Sequence, residues 1–244
     1  MKGVSLIIVI LVIASILTGT IIVGDILIRH SMIVKGTEIS ERAYFAAESA
    51  VEKAAYGVLK NHEDITSYAP AGSLDNGADY GVTTPFTPDT ACPNAPTECA
   101  SGNITSANPW NVGLSSGQSF WLDIDLNGAS YPTSLNISAT SPTSNELIVW
   151  ECTTVVGPPR DCDPNQAPLQ TVYYGWSPSV DISLSTSTKY YRIRIINNTG
   201  GGQTYAITPN ANLPIGVIIE SWGKYSNYKR YLNSNFPKWQ KFAE

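Results

Sequence analysis

The chain has 244 residues, with 15 Lys or Arg against 20 Asp or Glu and a formal net charge of -5. This low, acidic charge argues against nucleic acid as the main partner, because phosphate binding needs a concentrated basic surface. The length allows one or two small domains.

The chain begins with a long apolar segment. Residues 4–24 contain no charged side chain, and at about 1.5 Å per residue they reach roughly 31 Å, close to the hydrocarbon thickness of a bilayer. A secretory signal peptide is the competing interpretation. Because the run is longer than a usual signal core and no small-x-small cleavage site follows it, we expect residues 4–28 to form a transmembrane helix.

The helical pattern continues beyond the apolar segment. After Asp25, apolar or small residues recur at steps of three and four, and charged residues fill the other sides. This spacing predicts one amphipathic helix that extends to about residue 60 and packs an Ala-rich face on a globular head. The residues of the predicted face are Ile39, Ala43, Ala46, Ala47, Ala50, Ala54 and Val58.

Two segments of this helix resemble a known family. Residues 1–6, Met-Lys-Gly-Val-Ser-Leu, look like the short basic leader of prepilins, and residues 44–54 contain the Ala46-Ala47-Glu48 segment that is similar to one in many minor pilins and pseudopilins. Residues 220–225, followed by 228–230, resemble the hairpin that closes the heads of the same proteins. The chain therefore resembles a type IV minor pilin or pseudopilin.

The resemblance implies processing and a location. A prepilin peptidase is expected to cut between Gly3 and Val4, leaving Val4 as a methylated terminus. The mature chain would cross the inner (cytoplasmic) membrane once, with its head outside, and then enter a cell-surface filament. Its partners would be other pilin or minor pilin subunits.

The fifth position of the predicted mature helix departs from the family pattern. Major pilins carry a Glu there that pairs with the terminal amine of a neighbouring subunit, whereas this chain has Ile8. A subunit at the filament tip has no neighbour ahead of it, so we expect a minor and possible tip subunit. The alternative is a divergent lineage that builds its main filament without this Glu.

Asp25 has two interpretations. It is either a subunit-pairing or polar-pathway residue, or it marks the point where the helix leaves the membrane, since Arg29 follows at i+4 on the same face.

The four cysteines form two close pairs. Cys92 and Cys99 are one pair, and Cys152 and Cys162 are the other; no Cys-x-x-Cys spacing occurs. Two local disulfides in an oxidising compartment fit this spacing better than a zinc site. Four free buried thiols are the alternative.

The rest of the chain predicts a mostly β head. A first strand and a stapled loop are expected over residues 61–110, with residues 85–113 as an irregular loop. A β-sandwich insertion is expected over 111–209, and a closing hairpin and C-terminal tail over 210–244. Strand patterns recur about every ten residues, and residues 189–198 and 203–208 resemble the last hairpin of small jelly-roll modules. The fold class is therefore α+β.

Two ligand sites are candidates. Asp123, Asp125 and Asn127 match the opening of a calcium loop, but Ser134 stands where the bidentate Glu belongs, and the same residues suit a strand that enters an Asn-Gly turn. The aromatic residues of the β region form a possible platform for a surface glycan or a protein, unless they fill the core. They are Trp121, Trp150, Trp176, Tyr173 and Tyr174.

Catalysis has little support in the sequence. The only histidines, His30 and His62, lie outside the β region, and no hydrolase, metalloprotease or phosphate-loop motif is present. We therefore expect a structural and interaction protein and not an enzyme. The alternative function is a membrane-anchored carbohydrate- or protein-binding adhesin module that never enters a filament.

Overall fold

The computed structural model describes residues 2–61, 63, 65, 67–94, 97–100, 102–126, 131–139, 145–152, 169–176, 178–185 and 190–243. For residues 2–8, 125, 169 and 243 it describes the backbone alone.

A single long helix forms the N-terminal part of the described chain. Helix α1 runs from Lys2 to Ala55 and continues as a π-helical turn over Tyr56–Lys60, which confirms the predicted helix. Its apolar half is exposed, with Leu11 64% and Ile21 69% accessible. The described residues contain one helix long and apolar enough to cross a membrane, although a signal sequence fits the same description.

Antiparallel strands form the head. Their bounds are β1 (Gly72–Ser73), β2 (Asp79–Val82), β3 (Thr87–Asp89), β4 (Trp110–Leu114), β5 (Gln118–Asp125), β6 (Ser134–Ala139), β7 (Asn145–Cys152), β8 (Leu169–Tyr174), β9 (Ser179–Ser183), β10 (Tyr190–Asn197), β11 (Gln203–Pro209), β12 (Gly216–Tyr225), β13 (Tyr228–Pro237) and β14 (Trp239–Ala243).

The second half of α1 packs on the helix-bearing sheet, which has the strand order β1-β2-β12-β13, with β3 also paired to β12. The Ala-rich face predicted from the periodicity is the buried face. Ala43, Ala46, Ala47, Ala50 and Ala54 are all 0% accessible. Small side chains let the helix axis approach the sheet closely, so this contact is a backbone-to-backbone approach and not an interdigitation of large residues.

The two other sheets form a β-sandwich. The first sandwich sheet has the order β14-β5-β10-β7-β8, and the second has the order β4-β11-β6-β9. Their facing sides bury one apolar core, to which alternate residues of each strand contribute, as in Phe120, Leu122 and Ile124 of β5. This architecture confirms the predicted α+β fold, with a long helix packed on antiparallel sheets.

The C-terminal strands connect the two parts of the head. β13 is an edge of the helix-bearing sheet, and after Lys238 the chain continues as β14, which pairs with β5 at the edge of the first sandwich sheet. The sequence suggested only a tail here. The amide of Lys238 donates to the Ile215 carbonyl at 2.7 Å, and the amide of Asp123 donates to the Lys238 carbonyl at 2.8 Å.

The loop predicted over residues 85–113 is wrong in part. It contains β3 and the first four of the five residues of β4, and Trp110 is fully buried in the sandwich core. Its Pro, Asn and Thr content concealed these short strands.

The predicted disulfide between Cys92 and Cys99 is present. Cys152 is disulfide-bonded, whereas Cys162 lies outside the described residues.

Candidate functional site

The first candidate region is the joint, where residues 40–47 of α1 meet residues 221–230 of the β12–β13 hairpin. Gly223 lies directly against the helix backbone. A Cβ at this position would overlap the Ala43 carbonyl oxygen and the Ala47 amide nitrogen, and would lie 2.9 Å from the carbonyl carbon of Ala46. Only glycine permits this approach, so two of the three segments that carry the family resemblance, residues 44–54 and residues 220–230, contact each other.

Polar contacts on both sides of Gly223 fix the register of the joint. The buried Ser221 hydroxyl donates to the Ala47 carbonyl at 2.9 Å, and Arg230 Nε donates to the Ser40 hydroxyl at 2.9 Å. Arg42 donates to the Tyr225 hydroxyl at 2.9 Å and lies over the Tyr225 ring. A hydrogen bond to Glu38, together with the charge effect of Tyr225, raises the pKa of Arg42.

The other predicted assembly residues lie along the exposed part of α1. Gly3 and Val4 have helical backbones, and Ile8 belongs to the segment described by backbone alone. Asp25 accepts a hydrogen bond from Arg29 Nε at 2.8 Å, and both side chains are more than half exposed. Glu48 is also exposed, beside the buried Ala46 and Ala47. The roles of these residues in assembly remain predictions.

The second candidate region is the cleft, a cavity of about 360 Å³. It lies between the π-helical turn and the outer face of the first sandwich sheet. Val58 and Leu59 of the turn form one wall, and Trp121 and Phe242 belong to the sheet side. Its volume is within the usual range of small-molecule sites, which often occur between structural units.

An ion pair lines the cleft on the sheet side. Arg192 donates from Nε to Asp123 Oδ1 at 2.8 Å and from Nη2 to Asp123 Oδ2 at 3.0 Å, while their side chains are 29% and 23% accessible. The hydrogen bond to Asp123 raises the pKa of Arg192 despite its burial. Burial, reinforced by the negative charge of Asp123, also raises the pKa of Tyr190 well above its ordinary value. The site therefore keeps a fixed charge-paired geometry.

The aromatic residues of the predicted platform lie in different surroundings. Trp121 and Trp150 stack on the outer face, with ring centroids 5.7 Å apart and an interplanar angle of 13°. Trp176 instead lies in the sandwich core beside Tyr205, and Tyr173 packs against that core. The platform as predicted from the sequence is thus split between two faces of the sheet.

Tyr174 is exposed, with 74% of its surface accessible. It lies on β8, which β10 and β7 separate from β5 in the sheet order. It is therefore remote from Trp121 across the sheet, and we do not include it in the cleft.

Of the three predicted calcium ligands, the structure describes the side chain of Asp123 alone, so the calcium site stays a prediction. Asp123 already pairs with Arg192, the side chain of Asp125 is not described, and Asn127 lies outside the described residues. Among the described residues, no group of three or more His, Cys, Asp or Glu side chains could hold a metal ion.

Several cleft residues were not predicted from the sequence. Arg192 is an outward residue of β10, and Gln240 and Phe242 lie on β14. The alternation Tyr-Arg-Ile-Arg-Ile over residues 191–195 places both arginines on one strand face. The sequence alone could therefore have predicted that Arg192 and Arg194 point to the same side of the sheet. Gln240 and Phe242 could not be found without the pairing of β14.

The fold defines an α+β chain with an exposed apolar N-terminal helix and an antiparallel β head. No protein-family model matches it, and no curated protein matches its sequence. Among solved structures, TmCBM61 in complex with β-1,4-galactotriose is 9% identical, over 77% of this chain and 96% of that one, with a TM-score of 0.23. The enzymatically active domain of tailspike protein 4 of bacteriophage CBA120 is 12% identical, over 62% and 20%, with a TM-score of 0.21. Likenesses at these TM-scores carry no argument about fold or ligand.

Proposed function

We propose that this chain is a minor subunit of a type IV pilus or pseudopilus, with a structural and surface-interaction role. The observation that supports the proposal is the joint. One continuous helix presents an exposed apolar half, while its other half is held to a β head by Gly223 against Ala43 and Ala47.

The exposed half of α1 needs an apolar environment. Large side chains such as Leu11, Ile21 and Met32 are each more than 60% accessible, and a contiguous apolar surface of this length is not stable in water. Lipid would cover it before assembly, in the inner membrane with the head outside. The helices of other pilin or minor pilin subunits would cover it in the filament at the cell surface.

Ile8 supports the finer part of the proposal. Without a carboxylate at this position the chain does not form the family's pairing with the terminal amine of a neighbouring subunit, which favours a minor or tip position. The proposal includes processing by a prepilin peptidase between Gly3 and Val4. It assigns no catalytic role and no nucleic-acid partner.

Two measurements test the proposal in cells that express the chain. Mass spectrometry of the mature protein should find Val4 as the terminus, with or without a methyl group, and sheared filaments should contain the chain in few copies. A Gly3→Asp variant should stay uncut and should be absent from filaments, whereas Ser73→Ala, in the head, should behave as wild type. A wild-type chain that retains Met1 and is absent from filaments would contradict the proposal.

A second candidate function is an anchored binding module that never enters a filament. The cleft favours it, because a preformed cavity with aromatic and polar walls is not required by a purely structural subunit. The two functions share the anchor and differ in processing. An uncut chain that stays in the membrane and binds a ligand would support the second function.

A further inference from the structure

We propose that the cleft binds a carbohydrate, as one or two units of a surface oligosaccharide. The sugar would pack its C–H face against the ring of Trp121, beside the edge-on ring of Phe242. Its hydroxyl groups would contact the Asp123–Arg192 pair and Gln240. The inference relies on the proposed function only in placing the head outside the membrane.

The register of the strands assembles these groups on one face. Gln240 of β14 lies directly opposite Trp121 of β5. Arg192 of β10 lies opposite Asp123, which follows Trp121 by two residues on the same face. The Phe242 ring contacts the Trp121 ring edge-on at 6.1 Å. An apolar surface and a row of planar polar groups therefore lie side by side.

This combination matches the chemistry of a sugar ring. One face of a pyranose presents C–H groups that pack on aromatic rings, whereas its edge carries neighbouring hydroxyl groups that both donate and accept hydrogen bonds. The Asp123 carboxylate accepts bonds from Arg192 at both oxygens and keeps lone pairs for further donors. The exposed amide of Gln240 both donates and accepts.

Other ligand classes fit the cleft less well. Its sheet side is formed by β14, β5 and β10; β5 and β10 are paired with strands on both sides, and β14 is an edge strand of the sheet. A peptide therefore cannot add as a further strand to β5 or β10, since their backbone groups are already committed, and among these three strands strand addition is open to β14 alone. The charge of Arg192 is balanced by Asp123, and Lys238 is the other basic residue that lines the cleft; one lysine is not the cluster of basic groups that phosphate recognition usually uses.

Trp121 is held in place before any ligand arrives. It stacks on Trp150, it contacts Phe242, and the guanidinium groups of Arg192 and Arg194 lie 5.3 and 5.2 Å from its centroid. A side chain fixed in this way loses little rotamer entropy on binding. The site therefore suits a ligand that gains only a few hydrogen bonds and one stacking contact.

The test uses the full chain in detergent micelles on an array of neutral and acidic oligosaccharides, followed by calorimetry with each retained sugar. Wild type should retain at least one sugar. Trp121→Ala should weaken its affinity about tenfold or more, which is roughly the value of one stacked ring. Gln240→Ala should weaken it about threefold, roughly the value of one hydrogen bond. The matched control Tyr174→Ala, at an exposed aromatic outside the cleft, should bind as wild type.

Two results would overturn the inference: a wild-type chain that retains no oligosaccharide, or a retained sugar that binds Trp121→Ala and Gln240→Ala as tightly as wild type. Gln240 is exposed, so its variant stays informative if the Trp121 variant folds poorly. Filament incorporation is measured separately. Absence of sugar binding with normal filament incorporation would contradict the carbohydrate site and leave the pilin proposal standing. Sugar binding without filament incorporation would contradict the pilin proposal and leave the carbohydrate site standing.

Discussion

Gly223 of β12 and Ala43 of α1 approach so closely that a methyl group on the glycine would overlap the Ala43 carbonyl oxygen. The contact is between two backbones, and neither partner can move without shifting a helix or a strand. Ser221 and Tyr225 hold the same strand to the helix on either side. The orientation of the long helix on the head therefore depends on one residue without a side chain.

Gly223→Ala should separate the helix from the sheet. Overpacking a close contact usually costs about 1–3 kcal/mol, and backbone atoms cannot rotate away as a side chain does, so we expect the upper part of this range. The melting temperature of the detergent-solubilised chain, followed by circular dichroism, should fall by about 6–12 °C.

The matched control for this variant is Gly113→Ala. Gly113 is also a strand glycine, but the position of its Cβ has no atom within 4 Å. This variant should melt within a degree or so of wild type, because surface substitutions change stability little. Equal melting temperatures for the two variants would contradict the close approach at Gly223.

Ser221→Ala should weaken the same joint by a smaller amount. The substitution removes a buried hydrogen bond to the Ala47 carbonyl, which is worth about 1 kcal/mol, or roughly 2–4 °C in melting temperature. Ser183→Ala, at an exposed strand position, is the matched control and should have no measurable effect. A loss no larger than that of the control would show that the hydroxyl does not stabilise the joint.

Removal of the Cys92–Cys99 disulfide should destabilise the head. The bond closes a loop with a sequence separation of seven residues, and the loop-entropy model assigns such a loop about 2.5 kcal/mol. The Cys92→Ser, Cys99→Ser double variant should therefore melt several degrees below wild type under non-reducing conditions. This variant keeps Cys152, so its effect is separate from that of general reduction. An unchanged melting temperature would mean that the neighbouring contacts alone order the loop.

Glu98 should make stability depend on pH. Burial acts to raise its pKa, but hydrogen bonds from Lys241 and Trp110 outweigh burial and hold the pKa of Glu98 below its ordinary value of 4.5. A carboxyl whose pKa is lowered on folding stabilises the fold above the unfolded pKa, and this contribution is lost as the pH falls through the folded pKa.

Wild type should therefore lose stability more steeply than Glu98→Gln below about pH 5. At neutral pH the variant should be less stable by about 1 kcal/mol, because the Lys241 ammonium at 2.7 Å loses its carboxylate partner. Melting curves between about pH 3 and pH 7 measure both effects. Parallel curves for the two proteins would contradict the assignment of the acid-sensitive group to Glu98.

Much of the fold is encoded locally and was therefore predictable. The spacing of Ala43, Ala47, Ala50 and Ala54 predicts the buried face of the helix, and the alternation of Phe120, Leu122 and Ile124 predicts a core strand. Each signal depends only on residues within the same element. β4 was missed because its five residues follow a Pro-, Asn- and Thr-rich stretch that masks the alternation.

The cleft could not be predicted because its parts are distant in the chain. Val58, Asp123, Arg192 and Gln240 belong to the end of the helix, two sandwich strands and the last strand. Only the pairing of β14 with β5 brings Gln240 beside Trp121. Strand pairing likewise decides which side of the sheet Trp176 and Tyr173 face. A composition rich in aromatic residues does not specify that pairing.

The long separation between β2 and β12 has a consequence for folding kinetics. Gly81 pairs with Trp222, and the sandwich strands β4–β11 lie between them in the chain. Closing so long a loop from an unfolded chain is entropically costly and slow. An already folded sandwich shortens the effective loop. We therefore expect the sandwich to form first and the sheet beneath the helix to close late, with the C-terminal strands.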